Sequence, residues 1–409
     1  MIKCGLLGRH LTHSYSPQIH SVLGGYPYCL FEKEPEMLED FLKHGDFTGI
    51  NVTIPYKKAV LPYCDKLTPI AARLGAVNTI VRQKDGSLLG HNSDYFGFCS
   101  MMARLNMGVA GKKALVLGSG GASGTVAAVL SDRGAKVVVI SRNGENNYHN
   151  LEKHTDAALI VNATPVGMYP NNGHSLIDLD RFSQLEAVAD LIYNPARTKL
   201  LTDAQALGLK TQNGLWMLVA QAKESAELFT GRAIDDQKIA QVYCGLKAQM
   251  ENMILIGMPG CGKSTVAAAL AKALNKPWVD ADAEIEKAAG CSIPEIFEKF
   301  SESGFRKVET DVLEKLGKES GHVIATGGGC VTRKENYPSL HQNGNIFWLQ
   351  RDTSKLPTEG RPLSVANDLT RMYRCREPLY RQFADHIIDN NGTVENTLKQ
   401  IIDHLRYSL

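Results

Sequence analysis

Residues 257–265 read Gly257-Met258-Pro259-Gly260-Cys261-Gly262-Lys263-Ser264-Thr265, a match to G-x-x-x-x-G-K-[ST]. No other stretch restricts the fold so tightly, because the pattern works only where a strand feeds a turn and the turn feeds a helix. The flanks meet that demand. Met253-Ile254-Leu255-Ile256 reads as a short buried strand, and Ser264 to Leu274, rich in Ala and Leu, reads as a helix. Such a turn aims several backbone N–H groups, and the positive end of the helix dipole, at one point. Gly257, Gly260, Cys261, Gly262 and Thr265 then cradle a nucleotide, Lys263 reaches its β- and γ-phosphates, and the Ser264 hydroxyl sits on Mg²⁺.

Composition narrows the remainder. A length of 409 residues leaves room for roughly two or three domains. An apolar fraction of 44% with 22% charged residues is that of a globular protein, which sets disordered and fibrous classes aside. The net charge of +2 gives no reason to expect nucleic acid or an anionic membrane as partner. Nine cysteines, an odd number without a C-x-x-C pair, point to free thiols in a reducing compartment. No apolar run is long enough to span a bilayer, and Met1 to Pro17 holds no apolar leader core. The expectation is a cytoplasmic protein that handles small molecules. Repeats and low-complexity linkers are absent. The natural boundary lies between Ala233 and Asn252, where a polar helical segment, Asp235 to Gln249, ends just before the phosphate-loop strand.

Ahead of that boundary, Ile2 to Leu7 reads as a strand leading into a loop with Ser14 and Ser16. Hydroxyls on alternate residues of an extended segment point the same way and suit one carboxylate. Ser16-Pro17 also suits the opening of a helix. His10, His13 and His20 lack metal-ligand spacing and read as structural. Next, Gly49 to Lys58 alternates apolar and polar residues up to Pro55, so a strand delivers Asn51, Thr53, Lys57 and Lys58 to its carboxyl end. A lysine there gains chemical interest only with a carboxylate partner. Ala76 to Arg82 and Ser87 to Asn92 are strand-like about an Asp85-Gly86 turn. A two-residue turn pairs Lys84 with Ser87, Thr79 with Asn92, and Asn78 with Ser93, beside Asp94. The same cluster also reads as polar residues at a frayed strand end.

A second nucleotide signature follows. The strand Ala114 to Leu117 runs into Gly118-Ser119-Gly120-Gly121-Ala122-Ser123-Gly124 and the apolar helix Thr125 to Leu130. This is a dinucleotide-type turn with Ser123 where a third Gly or Ala is usual. The next strand, Lys136 to Ile140, ends in Ser141-Arg142-Asn143. NAD sites usually carry Asp or Glu there, whereas Arg142 suits a 2′-phosphate and favours NADP. Asn162 to Met168, with Thr164, follows the strand Leu159 to Val161 near such a cofactor. Asp190 to Pro195, with Tyr193, ends another strand, and Gly214 to Phe229 forms an amphipathic helix carrying Gln221.

Beyond the phosphate loop, Trp278 to Asp282 reads as a strand end. Residues two apart share a side, so Asp280 and Asp282 can both point toward the phosphates, although the same pair also reads as exposed carboxylates at a strand end. One can serve Mg²⁺ and the other can take a proton from an attacking hydroxyl. Arg306 and Glu309 stand three apart on a helix, the spacing of a surface ion pair. Gly327, Gly328 and Gly329 after the strand Val323 to Ala325 either expose bare N–H groups to a ligand or make a flexible loop. Glu359 to Leu363, around Arg361, has the composition of a lid, and Arg374 and Arg376 add guanidinium groups downstream.

Two families come into view. Ser14-x-Ser16-Pro17, Asn51-Val52-Thr53-x-Pro55-x-Lys57, Ala76-Val77-Asn78-Thr79, Asn92-Ser93-Asp94, Gly118-x-Gly120-Gly121-Ala122-Ser123 and Val219-Ala220-Gln221-Ala222 resemble shikimate dehydrogenase over Met1 to about Gln249. Ser93 stands where Thr is more usual. The phosphate loop, Asp280-x-Asp282, Phe305-Arg306-x-x-Glu309, the three glycines, Arg361-Pro362-Leu363 and Arg376-x-Pro378-Leu379-Tyr380 resemble shikimate kinase over about Met250 to Leu409.

The first likeness implies Ser14 and Ser16 on the substrate carboxylate, and Asn51, Thr53, Asn78 and Gln221 on ring hydroxyls with Tyr193 beside them. Lys57 and Asp94 become the catalytic pair. Gly118, Gly120, Gly121, Ala122, Ser123, Ser141, Arg142, Asn162, Thr164 and Gly214 surround NADP(H). The second likeness implies Arg306 and Arg376 clamping a carboxylate, with Glu309 orienting Arg306. It makes Asp282 the base, Asp280 and Ser264 the Mg²⁺ holders, and Arg361 the stabiliser of the transferring phosphoryl group. The implied fold is α/β throughout. A substrate domain (residues 1–100 and 213–248) is split by a Rossmann-type NADP domain (101–212), and a P-loop domain of the nucleoside-monophosphate-kinase type with a central parallel sheet follows (249–409). The implied function is two consecutive steps, reduction of 3-dehydroshikimate and phosphorylation of shikimate from MgATP, by a monomer or homodimer. A different enzyme pair on the same folds, with a quinate-type dehydrogenase or a kinase for another small polyol such as gluconate, is one rival. A non-catalytic metabolite sensor is the other, and the presence of Lys57, Asp94, Lys263 and Asp282 weighs against it.

Overall fold

The computed structural model describes residues 2–11, 14–356 and 366–407. His13 and the Glu359–Leu363 stretch with Arg361 lie outside the described residues. The chain divides into two compact units: Met1–Val166 with His174–Tyr193 and Asp203–Leu246, and Gly167–Gly173 with Asn194–Thr202 and Lys247–Leu409. Among the described residues no helix is long and apolar enough to cross a membrane.

The first unit is built on two sheets. β1 (Cys4–Gly8), β2 (Tyr28–Glu32), β3 (Gly49–Val52), β4 (Lys66–Leu67), β5 (Thr79–Arg82) and β6 (Leu88–His91) form a mixed sheet in the order β2-β1-β3-β5-β6-β4. β1 lies parallel to β2 and β3, whereas β5 runs antiparallel to β3 and β6. Every residue of β1 and β3 is buried, in keeping with strands covered on both faces.

The β5–β6 hairpin departs by one residue from the expected register. Thr79 pairs with His91 and Arg82 with Leu88, because the turn spans Lys84, Asp85 and Gly86 rather than two residues. Gly86 sits at φ 86°, and Asp85 Oδ1 accepts from the Ser87 N–H at 3.0 Å and the Ser87 hydroxyl at 2.6 Å. A left-handed glycine closing a three-residue loop is the next favoured hairpin solution. Asn78 and Ser93 still meet, since the Ser93 N–H donates to Asn78 Oδ1 at 2.7 Å. Ser16-Pro17 does open a helix, Ser16–Gly24 with Pro17 in its first turn, but Ser16 is not its cap: the N-cap residue is Tyr15, which makes no side-chain cap bond.

The second sheet is all parallel: β7 (Lys113–Leu117), β8 (Lys136–Ile140), β9 (Leu159–Asn162), β10 (Ala187–Asp190) and β11 (Lys210–Gln212), in the order β11-β10-β9-β7-β8. The winding reverses between β7 and β9, and in doubly wound sheets ligands bind outside the carboxyl ends at that point. The Asp94–Leu105 helix packs on the Leu215–Thr230 helix. Gly97 permits their close approach, because a Cβ there would lie 2.9 Å from Gln221 Cβ and from the Met217 carbonyl. That contact brings Gln221 toward Asp94.

In the second unit, β12 (Asn252–Ile256), β13 (Trp278–Asp280), β14 (Val323–Ala325), β15 (Gly344–Gln350) and β16 (His386–Asp389) form a parallel sheet in the order β13-β14-β12-β15-β16. β12 is central and wholly buried, and it delivers the phosphate loop to the Lys263–Leu274 helix. β13 stops at Asp280, so Asp280 and Asp282 are not two positions on one strand as expected. The Asp280 carboxylate accepts the Asp282 N–H at 3.0 Å and caps the Ala281–Ala289 helix, which breaks the strand. The long Ile293–Lys318 helix is kinked at Ser301. Two stretches from earlier in the chain complete this unit. Arg197 Nη1 donates to the carbonyls of His341 at 2.7 Å and Gly344 at 3.1 Å, and Asn172 Nδ2 to Gln342 Oε1 at 2.6 Å.

Candidate active sites

The first unit holds a cavity of about 540 Å³ lined by Ser14, Ser16, Asn51, Thr53, Lys57, Asn78, Asp94, Ala122, Tyr193, Gly214 and Gln221. The substrate-side residues singled out in the sequence therefore converge, although they come from both sheets and three helices. Lys57 follows β3 and Asp94 opens the Asp94–Leu105 helix, where the dipole favours a carboxylate. Lys57 Nζ donates to Asp94 Oδ2 at 2.6 Å, their side chains being 24% and 12% exposed. Burial raises the Tyr193 phenol above its usual range.

Beneath the cavity lies a buried hydroxyl cluster that sequence reasoning missed. Ser225 Oγ lies 2.8 Å from Asn51 Nδ2, 2.9 Å from Thr79 Oγ1 and 3.0 Å from Ser93 Oγ. Tyr28 donates its hydroxyl to Asn51 Oδ1 at 2.8 Å. One signal was available: Ser225 stands four residues after Gln221, on the same helix face.

At the β7–β9 switch point, Gly118 adopts φ 103°, and a Cβ there would meet Thr164 Cγ2 at 2.7 Å. A Cβ on Gly120 or Gly121 would meet nothing within 4 Å, which leaves the open backbone cradle a pyrophosphate needs. Not every predicted cofactor residue is turned to that space. Ser123 donates back to the Gly118 carbonyl at 2.6 Å. Asn162 is buried, accepting from Thr164 N at 3.0 Å and Oγ1 at 2.7 Å while donating to Asp190 Oδ1 at 3.0 Å. These three brace the loops from within. Ser141 and Arg142 directly follow β8.

The second unit holds a cavity of about 590 Å³ lined by the phosphate loop, Asp280, Asp282, Arg306, Glu309, Gly327, Gly328, Gly329 and Arg376. The apolar wall of Ile293, Phe297, Phe305 and Met372 was not anticipated beyond Phe305. Gly257, Gly260 and Gly262 sit at φ 146°, 80° and 96°, conformations that keep side chains out of the loop. Lys263 Nζ donates to the carbonyls of Gly257 at 3.0 Å and Met258 at 3.1 Å. Cys261 packs into the core beneath the loop. Ser264 Oγ donates to Asp280 Oδ2 at 2.6 Å, and this hydroxyl–carboxylate pair is the hard-oxygen donor set that suits Mg²⁺.

Arg306 and Glu309 are buried, against the expectation of a surface pair. Arg306 Nη1 donates to Glu309 Oε2 at 2.7 Å, and the guanidinium lies over Gly329, where a Cβ would clash at 2.2 Å. Burial pushes the Glu309 carboxyl up, against the opposing pull of Arg306. Arg376 Nη1 donates to the Gly328 carbonyl at 3.1 Å, which the Tyr380 hydroxyl also reaches. Arg361 lies outside the described residues, and Arg374 does not line the cavity.

Fold and sites define a dinucleotide-fold oxidoreductase joined to a P-loop kinase domain. Residues 6–80 match the family model of the shikimate dehydrogenase substrate binding domain, and residues 259–406 match that of shikimate kinase. The NADP(+) shikimate dehydrogenase of Clostridium perfringens is 35% identical over 267 residues, covering 60% of this chain and 98% of that protein. Among solved structures, shikimate dehydrogenase 1 of Peptoclostridium difficile is 39% identical with a TM-score of 0.55, covering 60% of this chain and 98% of that one. The Thermus thermophilus enzyme, solved with NADP(H) and shikimate, is 34% identical with a TM-score of 0.55, covering 59% and 98%. The chain belongs to the shikimate dehydrogenase family and carries a shikimate kinase domain at its C-terminal end.

Proposed function

We propose that the chain is a bifunctional enzyme of two consecutive reactions, NADPH-dependent reduction of 3-dehydroshikimate to shikimate and MgATP-dependent phosphorylation of shikimate to shikimate 3-phosphate. The observation that carries the first half is the Lys57–Asp94 contact of 2.6 Å inside a cavity that also gathers Ser14, Ser16, Asn51, Asn78 and Gln221. NADPH supplies the hydride. The ketone oxygen then develops negative charge, and Lys57, held by Asp94, gives it a proton. Ser14 and Ser16 bind the carboxylate, and the amides bind the ring hydroxyls.

In the second half, Lys263 and the phosphate loop hold the polyphosphate, with Ser264 and Asp280 as ligands for Mg²⁺. Arg306 and Arg376 take the shikimate carboxylate, Glu309 fixes Arg306, and Asp282 takes the proton of the hydroxyl that receives the phosphoryl group. The glycines at 327–329 leave room for the ring. We assign residues 1–100 and 213–248 to the substrate domain, 101–212 to the NADP domain and 249–409 to the kinase. The test is one mixture of protein, 3-dehydroshikimate, NADPH, Mg²⁺ and ATP, followed for NADPH loss and ADP formation together. Both are expected, with ADP lagging NADPH loss. NADPH loss without ADP shows the kinase half misassigned, and ADP formed only from added shikimate does the same for the dehydrogenase half.

A further inference from the structure

Recognition of a polyol by amides depends on which edge of each amide faces it, since the carbonyl accepts and the NH₂ donates. In the first unit that choice is made by residues that do not line the cavity. Ser225 is wholly buried on the Leu215–Thr230 helix, one turn beyond Gln221, as are Thr79 and Ser93 on their own segments. Ser225 sits among the small buried residues Ala222 and Ala226. The hydroxyl lies within donating distance of the Gln221 carbonyl of its own helix at 3.0 Å, and its oxygen also meets the polar neighbours Asn51, Thr79 and Ser93.

The hydrogen-bond count shows what it does. Asn51 Nδ2 donates to Ser225 Oγ at 2.8 Å and to Thr79 Oγ1 at 3.3 Å, while Asn51 Oδ1 accepts from the Tyr28 hydroxyl at 2.8 Å. Its amide has one orientation. Asn78 Oδ1 is saturated by the Ser93 N–H at 2.7 Å and the Thr79 hydroxyl at 3.1 Å. One Asn78 Nδ2 hydrogen goes to Ser93 Oγ at 3.0 Å, leaving the other for the cavity that Asn78 lines. The Ser93 hydroxyl also reaches Gln221 Oε1 at 3.3 Å, and Gln221 Nε2 donates to the Leu218 carbonyl at 2.9 Å. Three recognition amides thus share one hydroxyl cluster, and Ser225 Oγ is the atom common to Asn51, Thr79 and Ser93.

We propose that Ser225 is a positioning residue for substrate specificity: it anchors Asn51 and, through Thr79 and Ser93, holds Asn78 with an N–H presented to a substrate hydroxyl. The inference rests on the reading of this cavity as the 3-dehydroshikimate site. Without the Ser225 hydroxyl, buried partners lose a bond and the amides gain a second orientation, at a cost of about tenfold in affinity.

The experiment compares shikimate oxidation by the full chain and by Ser225→Ala, using shikimate and an analogue lacking one ring hydroxyl remote from the reacting carbon. In the variant KM for shikimate is expected to rise about tenfold with kcat within about twofold, and preference for shikimate over the analogue to fall by a similar factor. Ser225→Thr, which keeps the hydroxyl, restores most of the preference. Tyr28→Phe cuts the other anchor of Asn51 and gives the same KM-against-kcat split even if alanine at 225 unfolds the unit. NADP(H) affinity by fluorescence titration stays unchanged in all three. Equal losses on shikimate and analogue, or an unchanged KM in both Ser225→Ala and Tyr28→Phe, overturn the proposal. A wild-type chain that oxidises neither compound overturns the reading of the cavity itself.

Discussion

An ammonium group 2.6 Å from a carboxylate in a part-buried cavity is poised to donate a proton, becoming a neutral amine as it does so. Replacing Lys57 by Ala is expected to lower kcat by roughly 10²–10⁴ while KM for shikimate moves only a few-fold, as measured by steady-state kinetics. Retention of kcat would remove Lys57 from the chemistry. His20 makes a pH prediction at the same scale. It is 1% exposed, stacked on Tyr28 at 4.2 Å and bonded through Nδ1 to the Tyr26 hydroxyl at 2.7 Å. Burial drives its pKa from 6.5 down to about 3, with Asn51 pulling the other way. Between those values the unfolded chain binds a proton that the folded chain refuses, so stability is complete above pH 6.5 and falls as pH drops toward 3. Thermal melts at about pH 7.5 and about pH 4.5 should show a smaller acid loss of Tm for His20→Phe than for wild type. Equal losses would assign the acid sensitivity to other groups.

Within single elements, backbone conformation decides what the helices can carry. Ser301 interrupts the Ile293–Lys318 helix at φ 62° and ψ 178°, a region that side chains rarely enter. The kink divides the turn bearing Ile293 and Phe297 from the turn bearing Arg306 and Glu309, and all four line one cavity. Ser301→Gly is expected to stabilise the protein by roughly 0.5–2 kcal/mol, the strain released less the freedom glycine adds to the unfolded chain. Urea unfolding measures this. A lower midpoint for the glycine variant would mean that the kink is held without strain. β13 teaches a related lesson, because the Asp280 cap and the strand end are one event. The side chain that closes the strand also fixes the start of the next helix.

For the molecule as a whole, chain order and compact units do not coincide. Gly167–Gly173 and Asn194–Thr202 belong to the unit that otherwise begins at Lys247. Arg197 is their main fastening, donating to two carbonyls at the entry to β15 while Ala196 N donates to Asn343 Oδ1 at 2.8 Å. Arg197→Ala strips both carbonyls of a charged donor. It is expected to destabilise the second unit by about 2–3 kcal/mol, read from urea unfolding followed by Trp278 and Trp348 fluorescence. An unchanged midpoint would show that the backbone bonds of these stretches suffice.

Much of this was legible along the chain. The glycine turns after β7 and β12 announce themselves because a bare backbone beside a helix start has few other uses, and the strand ends carry their polar residues in fixed order. What the chain alone determined was local: where the backbone can bind phosphate, and which side chains stand at strand ends. Tertiary packing decided the rest. The hairpin register turned on how Asp85 and Gly86 closed a three-residue loop, the burial of Arg306 with Glu309 on the cover above them, and the Ser225 cluster on a helix brought against β3 and β5 from some 150 residues away. Hydrogen bonds between such distant groups leave no period or spacing in a sequence, because their energy depends on exclusion of water by elements that meet only in the folded chain.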